Sequence, residues 1–203
     1  MRKPNMGASA CAQCYKWPRH IHIDMRIVIT GTPGTGKSSL SKGLSEHMHY
    51  PRLDVKKLIE DSKIYHIRRG ETEKTVNMRA LQRAVTDWFR HRADGIAESH
   101  LLCEFDAGAD LVVVLRCQPD VLEKRLDKRH YPKAKVRGNV ESEALDYCLV
   151  KAEENYRDGR VMPVDATRRV GVATLARKIR MRQGDKVNWS AWLRKNAAAL
   201  STA

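Results

Sequence analysis

Residues Gly31 to Ser38 read G-T-P-G-T-G-K-S, directly after the β-branched run Arg26-Ile-Val-Ile-Thr30 and before Ser38-Ser39-Leu40, which opens an amphipathic segment. A short strand feeding a glycine-rich turn and then a helix is the setting in which this pattern works as a phosphate-binding loop. Gly31, Gly34 and Gly36 let the backbone curl so that successive N–H groups, those of Thr35 and Gly36 among them, face an anion at the positive end of the following helix. Lys37 then reaches the β- and γ-phosphates, Ser38 can ligate Mg²⁺, and Ser39 is placed at the α-phosphate. A chain built this way binds a nucleoside triphosphate with Mg²⁺.

The 203 residues suffice for one α/β domain. No apolar run approaches the ~20 residues of a bilayer span, and the first 24 residues lack a signal-peptide core. A soluble, cytoplasmic protein with no membrane partner is expected. Lys and Arg number 38 against 24 Asp and Glu, a net charge of +14. That excess is more than a nucleotide site needs, and it points to a polyanionic partner such as RNA. Five cysteines, an odd and scattered set, argue against a disulfide framework. Cys103, Cys117 and Cys148 fall in segments that read as buried.

From Met25 onward strands alternate with helices, which predicts a parallel sheet with right-handed crossovers. The expected strands are Arg26–Thr30, Pro51–Leu53, Ile96–Glu98, Leu111–Leu115 and Val161–Val164. The expected helices run over Lys37–Met48, from Asp54 as cap to Ser62, Glu73–Arg92, Pro119–Arg129, Val140–Tyr156 and Val172–Met181. Residues 63–74 read as a polar loop. The tail carries Trp189 and Trp192, read as a packed anchor rather than a base-stacking platform. Residues 1–24 stand apart as an N-terminal extension. Their Cys11, Cys14, His20 and His22 suit a small zinc site. Against it stands a disordered segment, or one not translated because Met25 is the start.

Glu98-Ser99-His100 closes a core strand at the carboxyl edge, where ligands of doubly wound sheets sit. Glu98 there can hold the water shell of Mg²⁺, so that Ser38 and Glu98 are the metal candidates. His100, two residues on, is expected to point the same way and to orient a water or polarise a phosphate. Arg125 and Arg129 share a helix face one turn apart. They precede Lys133, Lys135 and Arg137 in the Pro- and Gly-bearing stretch Arg129-His-Tyr-Pro-Lys-Ala-Lys-Val-Arg-Gly138, which reads as a small mobile lid carrying cations over the moving phosphoryl group. Asp54 to Tyr65, with Arg79 and Gln82, lies between the first two core strands, where small nucleotide kinases grip the acceptor.

The phosphate loop, Glu98-Ser99-His100, the lid Arg125-Leu-Asp-Lys-Arg129-His-Tyr, the stretch Gly138-Asn-Val-Glu-Ser-Glu143 and the terminal Lys186-Val-Asn-Trp189-Ser together resemble the adenylate-kinase-like family of archaea and eukaryotes. The resemblance runs in order over residues 25–195. It implies a P-loop NTPase fold, a three-layer α/β/α architecture with a five-stranded parallel sheet, like a nucleoside monophosphate kinase with a short lid. It divides the chain into a kinase domain at 25–184, with a monophosphate-binding region at 54–79 and a lid at 128–138, and a basic tail at 185–203. It further implies a monomeric, broad-specificity nucleoside monophosphate kinase, AMP preferred, that also hydrolyses ATP. Such a protein acts in rRNA processing and late maturation of the small ribosomal subunit, with a platform ribosomal protein and pre-ribosomal RNA as partners. Gly34, Thr35, Gly36, Lys37, Ser38, Ser39 and Arg129 take the ATP-binding roles, and Lys37, Glu98, His100, Arg125 and Arg129 the catalytic ones. The family has Asp where Glu98 stands, and nothing in it corresponds to residues 1–24. Two further readings stand beside the kinase: an assembly ATPase with incidental kinase turnover, and a small-metabolite kinase of similar architecture.

Overall fold

The computed structural model describes residues 24–67, 74–156 and 159–200. The cysteines and histidines of the zinc expectation lie outside these residues. Five parallel strands form the sheet: β1 (Arg26–Thr30), β2 (Arg52–Asp54), β5 (Gly95–Glu98), β6 (Leu111–Arg116) and β7 (Val161–Asp165), in the order β2-β5-β1-β6-β7. The register sets Ile29 beside Glu98 and Thr30 beside Val114, so β1, β5 and β6 end together at one carboxyl edge.

The two-residue period of these strands divides the core. Val28, Ala97, Val112 and Val114 point to one face, against α2 (Val55–Asp61), α3 (Met78–Arg90) and α6 (Tyr147–Asn155). Ile27, Ile29, Ile96, Val113 and Leu115 point to the other, against α1 (Lys37–Met48) and α7 (Val172–Met181). Every residue of β6 is buried, as expected of a strand covered on both sides. A third cluster joins α4 (Pro119–Asp127) to α5 (Lys133–Ala144) through Leu122, Leu126, Val136 and Val140, with Trp192 against it from α8 (Ser190–Leu200). Cys103, Cys117 and Cys148 are buried free thiols. Among the described residues no helix is long and apolar enough to cross a membrane.

Several local expectations need correction. The polar loop at 63–74 contains two short antiparallel strands, β3 (Tyr65–Ile67) and β4 (Lys74–Val76), with Tyr65 opposite Val76. Tyr65 and Val76 pack on the core, and the Lys74 ammonium lies 4.3 Å above the Tyr65 ring. Because the chain is extended through Val76, α3 starts later than Glu73. Asn77 caps it, its side chain accepting from the Ala80 N–H at 3.1 Å. In the stretch from Lys128 to Val140, α5 is helical from Lys133, so only the short connector to Pro132 is irregular and Gly138 sits inside a helix. The helix expected over Val140–Tyr156 is broken at Leu145–Asp146, where Asp146 adopts φ 59 and ψ 20. Aspartate is among the few residues other than glycine that take this left-handed conformation, and the carboxylate of Asp146 is held by an ion pair to Arg116.

Candidate phosphate-binding site

The loop between β1 and α1 is shaped by its glycines. Gly31 has φ 131, and a Cβ there would lie 2.4 Å from the Leu115 carbonyl oxygen, so β6 passes too close for any other residue. Gly36 ends the curl at φ 102 and ψ 13 and leads into α1. Thr35 closes the turn, its N–H and hydroxyl both donating to the Thr32 carbonyl, at 3.3 and 2.9 Å. Lys37 folds back over the loop and donates to the carbonyls of Gly31 at 2.8 Å and Thr32 at 3.1 Å. Burial pushes its ammonium down to about 8 from the ordinary 10.5, against the opposing fields of Cys148, Glu98 and Glu143. Ser38 and Ser39 are exposed at the first turn of α1.

Glu98 ends β5 beside this loop, near enough to the Ser38 hydroxyl to feel it. Burial raises its pKa, with Ser38, Lys37 and Arg52 pulling the other way. The two expected metal ligands therefore lie near each other. One hard carboxylate plus one hydroxyl suits Mg²⁺, which takes few protein ligands and completes its shell with water and phosphate oxygens. Arg52 on β2 stands 3.8 Å from Glu98 and 3.9 Å from Asp54. Asp54 itself caps α2, accepting from the Lys57 N–H at 3.1 Å.

His100 is not on the strand, as the alternation argument assumed. The chain leaves β5 after Glu98, and His100 opens a 3-10 turn (His100–Cys103) started by Ser99, whose hydroxyl accepts from the Leu101 N–H. The residue keeps an exposed edge while much of the ring is covered, and that burial first, with the Lys37 charge second, holds its pKa below the ordinary histidine value. Lys37 thus acts electrostatically on both Glu98 and His100, and the turn rather than the strand positions the histidine.

The two candidate arginines part company. Arg125 is engaged: Nη1 donates to the Ala166 carbonyl at 3.0 Å and to Cys117 Sγ at 3.3 Å, and Nη2 to the Thr167 carbonyl at 2.8 Å. It fastens the loop after β7 to α4 and is not a cation free to meet phosphate, which corrects the expectation of a shared role. Arg129 lies just past α4, is exposed, and makes no side-chain hydrogen bond or ion pair among the described residues.

Sequence reasoning missed the anchor of the loop. Glu143 on α5 is buried, as is Arg116 at the end of β6. Glu143 Oε2 accepts from the Thr32 hydroxyl at 2.6 Å. Its Oε1 accepts from Arg116 Nε at 2.8 Å, the Cys117 N–H at 3.0 Å and the Trp189 indole N–H at 3.2 Å. The only sequence signal was Glu143 within the family-like Asn-Val-Glu-Ser-Glu stretch. Trp192, in the same tail, donates to Asp120 at 2.6 Å, so both tryptophans anchor the chain end as expected.

Beyond the His100 turn a cavity of about 400 Å³ opens between that turn and α3, lined by Met78, Arg79, Gln82, Leu101, Glu104 and Phe105. Its size suits a small ligand. Gln82 donates to the Asp106 carbonyl at 3.3 Å, whereas Arg79 is exposed on the rim.

An AAA domain family model matches residues 27–146, from β1 to the end of α5. The "Putative adenylate kinase" of Methanocaldococcus jannaschii is 32% identical over 149 residues, 71% of this chain and 78% of that protein. The protein of the same name from Natronomonas pharaonis is 38% identical over 143 residues, 70% of this chain and 81% of its own. That of Halobacterium salinarum is 34% identical over 163 residues, 80% and 92%. Among solved structures, shikimate kinase from Acinetobacter baumannii superposes with a TM-score of 0.54 at 17% identity, over 78% of this chain and 92% of that one. At that identity the likeness concerns the fold alone, a parallel sheet covered by helices on both faces. The span, order and identity of the archaeal matches, together with the loop geometry, mean that this chain belongs to the P-loop family of AAA-domain proteins and, within it, to the adenylate-kinase-like family.

Proposed function

We propose that the protein is a nucleoside monophosphate kinase that transfers the γ-phosphoryl group of ATP to AMP or a related monophosphate, and that it hydrolyses ATP slowly when water takes the acceptor's place. What supports this reading most is Lys37 within electrostatic reach of both Glu98 and His100, with the cavity lined by Arg79 and Gln82 opening beyond the His100 turn. The N–H groups of Gly34 and Gly36 receive the phosphate oxygens, joined by that of Thr35 as it turns from the Thr32 carbonyl. Lys37, released from the carbonyls of Gly31 and Thr32, pairs with the β- and γ-phosphates, and Ser39 meets the α-phosphate. Ser38 and Glu98 hold Mg²⁺, which when bound neutralises charge on the β- and γ-oxygens.

In the transfer step an oxygen of the acceptor phosphate forms a bond to the γ-phosphorus as the bond to the β–γ bridging oxygen breaks. ADP leaves, and the monophosphate becomes a diphosphate. Catalysis is placement and charge stabilisation rather than covalent work by the protein. Arg129 swings over the γ-phosphoryl group from the lid segment 128–138, while Arg79 holds the acceptor phosphate within the region 54–79 and Gln82 its nucleoside. In hydrolysis a water occupies the acceptor's position and neutral His100 orients it. The catalytic unit spans 25–184. Arg125 acts at one remove, by fixing the 166–167 loop.

An ADP-formation assay with Mg-ATP, run with and without AMP, tests the reading. Strong AMP dependence that disappears in Lys37→Ala is the expected result; full activity in Lys37→Ala would overturn it.

The charge favours a second role beside the first. A net +14 and exposed Arg168, Arg169, Arg177 and Arg180 around the start and outer face of α7 suit an RNA-rich particle. Cytoplasmic action on precursors of the small ribosomal subunit, through a platform ribosomal protein and pre-ribosomal RNA, is the corresponding assignment, with residues 185–203 as a basic tail. Salt-sensitive binding of the monomer to small-subunit RNA, weakened when these arginines are neutralised together, is the test.

A further inference from the structure

The side chain that ties the phosphate loop to the rest of the fold lies outside the loop. Thr32 is the second residue of the turn. Its carbonyl accepts from Thr35 twice and from Lys37 once, so its position decides where both residues sit. Its hydroxyl makes a 2.6 Å hydrogen bond to the carboxylate of Glu143, 111 residues away on α5. Glu143 cannot drift: Arg116, the Cys117 N–H and the Trp189 indole converge on its other oxygen, and Arg116 is held in turn by Asp146. One buried carboxylate thus joins the phosphate loop, the end of β6, the helix that begins in the lid segment, and the tail.

We propose that Glu143 is a positioning residue for triphosphate binding: through the Thr32 hydroxyl it holds the empty loop in the curl that receives phosphate. This rests on the phosphate-loop reading of Gly31–Ser38. The physical consequence falls on affinity. A loop that loses its clamp spends part of its time in non-binding shapes, and apparent affinity falls by the fraction that remains competent. Once the triphosphate is seated, its own contacts restore the curl, so turnover at saturation suffers less.

Glu143 is a poor first target, because its removal leaves Arg116 buried without a counter-charge and the fold itself would suffer. Thr32→Val removes only the hydroxyl and keeps the shape. Measured on folded protein well below its unfolding temperature, Thr32→Val should raise the Kd and KM for Mg-ATP about tenfold, leave the KM for AMP unchanged, and lower kcat by less than twofold. Thr32→Ser, which keeps the hydroxyl, should return the Kd to within about twofold of the wild type. A global loss of stability would not divide KM from kcat in this way, nor be cured by serine. If the wild type binds Mg-ATP and Thr32→Val binds it equally well, or if Thr32→Ser is as weak as Thr32→Val, the proposal fails while the kinase reading stands. If the wild type binds no Mg-ATP, the kinase reading fails first.

Discussion

Arg116 and Glu143 form an ion pair at 2.8 Å with both side chains 1% exposed, and Arg116 Nη1 is a buried donor without a hydrogen-bond partner among the described residues. Two charges taken out of water must be repaid by their mutual attraction and by the other bonds of the cluster, and removing one partner strands the other. Arg116→Met should therefore destabilise the protein by about 3–5 kcal/mol. Urea unfolding followed by circular dichroism measures this as a lower midpoint at nearly constant slope. A loss under about 1 kcal/mol would mean the cluster adds little to stability.

Lys37 gives a pH signature. Its empty-site pKa is pushed down to about 8 by burial, whereas a triphosphate beside it favours the ammonium and raises that value. Complex formation must then take up a proton at pH values above about 8 and almost none below about 7. Affinity for Mg-ATP should decline as pH rises through 8, because part of the binding free energy then goes into protonation. Titration calorimetry in buffers of different ionisation heat reads the uptake directly. Proton release at pH 8.5 would contradict the assignment of Lys37.

His100 should separate the two activities. With its pKa held below the ordinary value, the ring is neutral at pH 7 and can accept a proton from water. AMP-independent hydrolysis should fall about 10²-fold in His100→Ala, with AMP-dependent transfer changed by less than about threefold. In the wild type, hydrolysis should decline on the acid side, as the imidazole takes up a proton and loses its acceptor nitrogen. Equal losses of hydrolysis and transfer in His100→Ala would remove the distinction.

Arg125 and Arg129 should fail differently. Arg125 donates to two backbone carbonyls, so Arg125→Ala should lower stability by about 1–3 kcal/mol, with a moderate rise in the KM for ATP. Arg129 is exposed and makes no such bonds, so Arg129→Ala should leave the unfolding midpoint in place and cut kcat about 10²-fold. Thermal unfolding and steady-state kinetics on both variants provide the comparison; interchanged phenotypes would exchange the roles of the two arginines.

Much of this architecture is legible along the chain because its signals are local. The strand–glycine turn–helix run fixes β1 and α1, and the apolar spacing of Leu175, Ala176 and Ile179 marks α7 with the bounds observed. The β3–β4 pair escapes detection because each strand is three residues long and mostly exposed, with only Tyr65 and Val76 packed on the core. The start of α5 escapes because Pro132 and Gly138 read as a loop, yet a helix tolerates Gly138 at its surface for about 1 kcal/mol. The partners of Arg125 and the bond from Thr32 to Glu143 depend on segments far apart in sequence, 41 and 111 residues, and no local pattern encodes such a meeting.

Triphosphate binding at the Gly31–Ser38 loop underlies every other assignment, and calorimetric titration of folded protein with Mg-ATP, alongside Lys37→Ala, tests it. Saturable binding to the wild type, lost or weakened at least a hundredfold in the variant, is expected. No heat of binding to a wild-type protein shown by circular dichroism to be folded would refute the kinase reading at its first step.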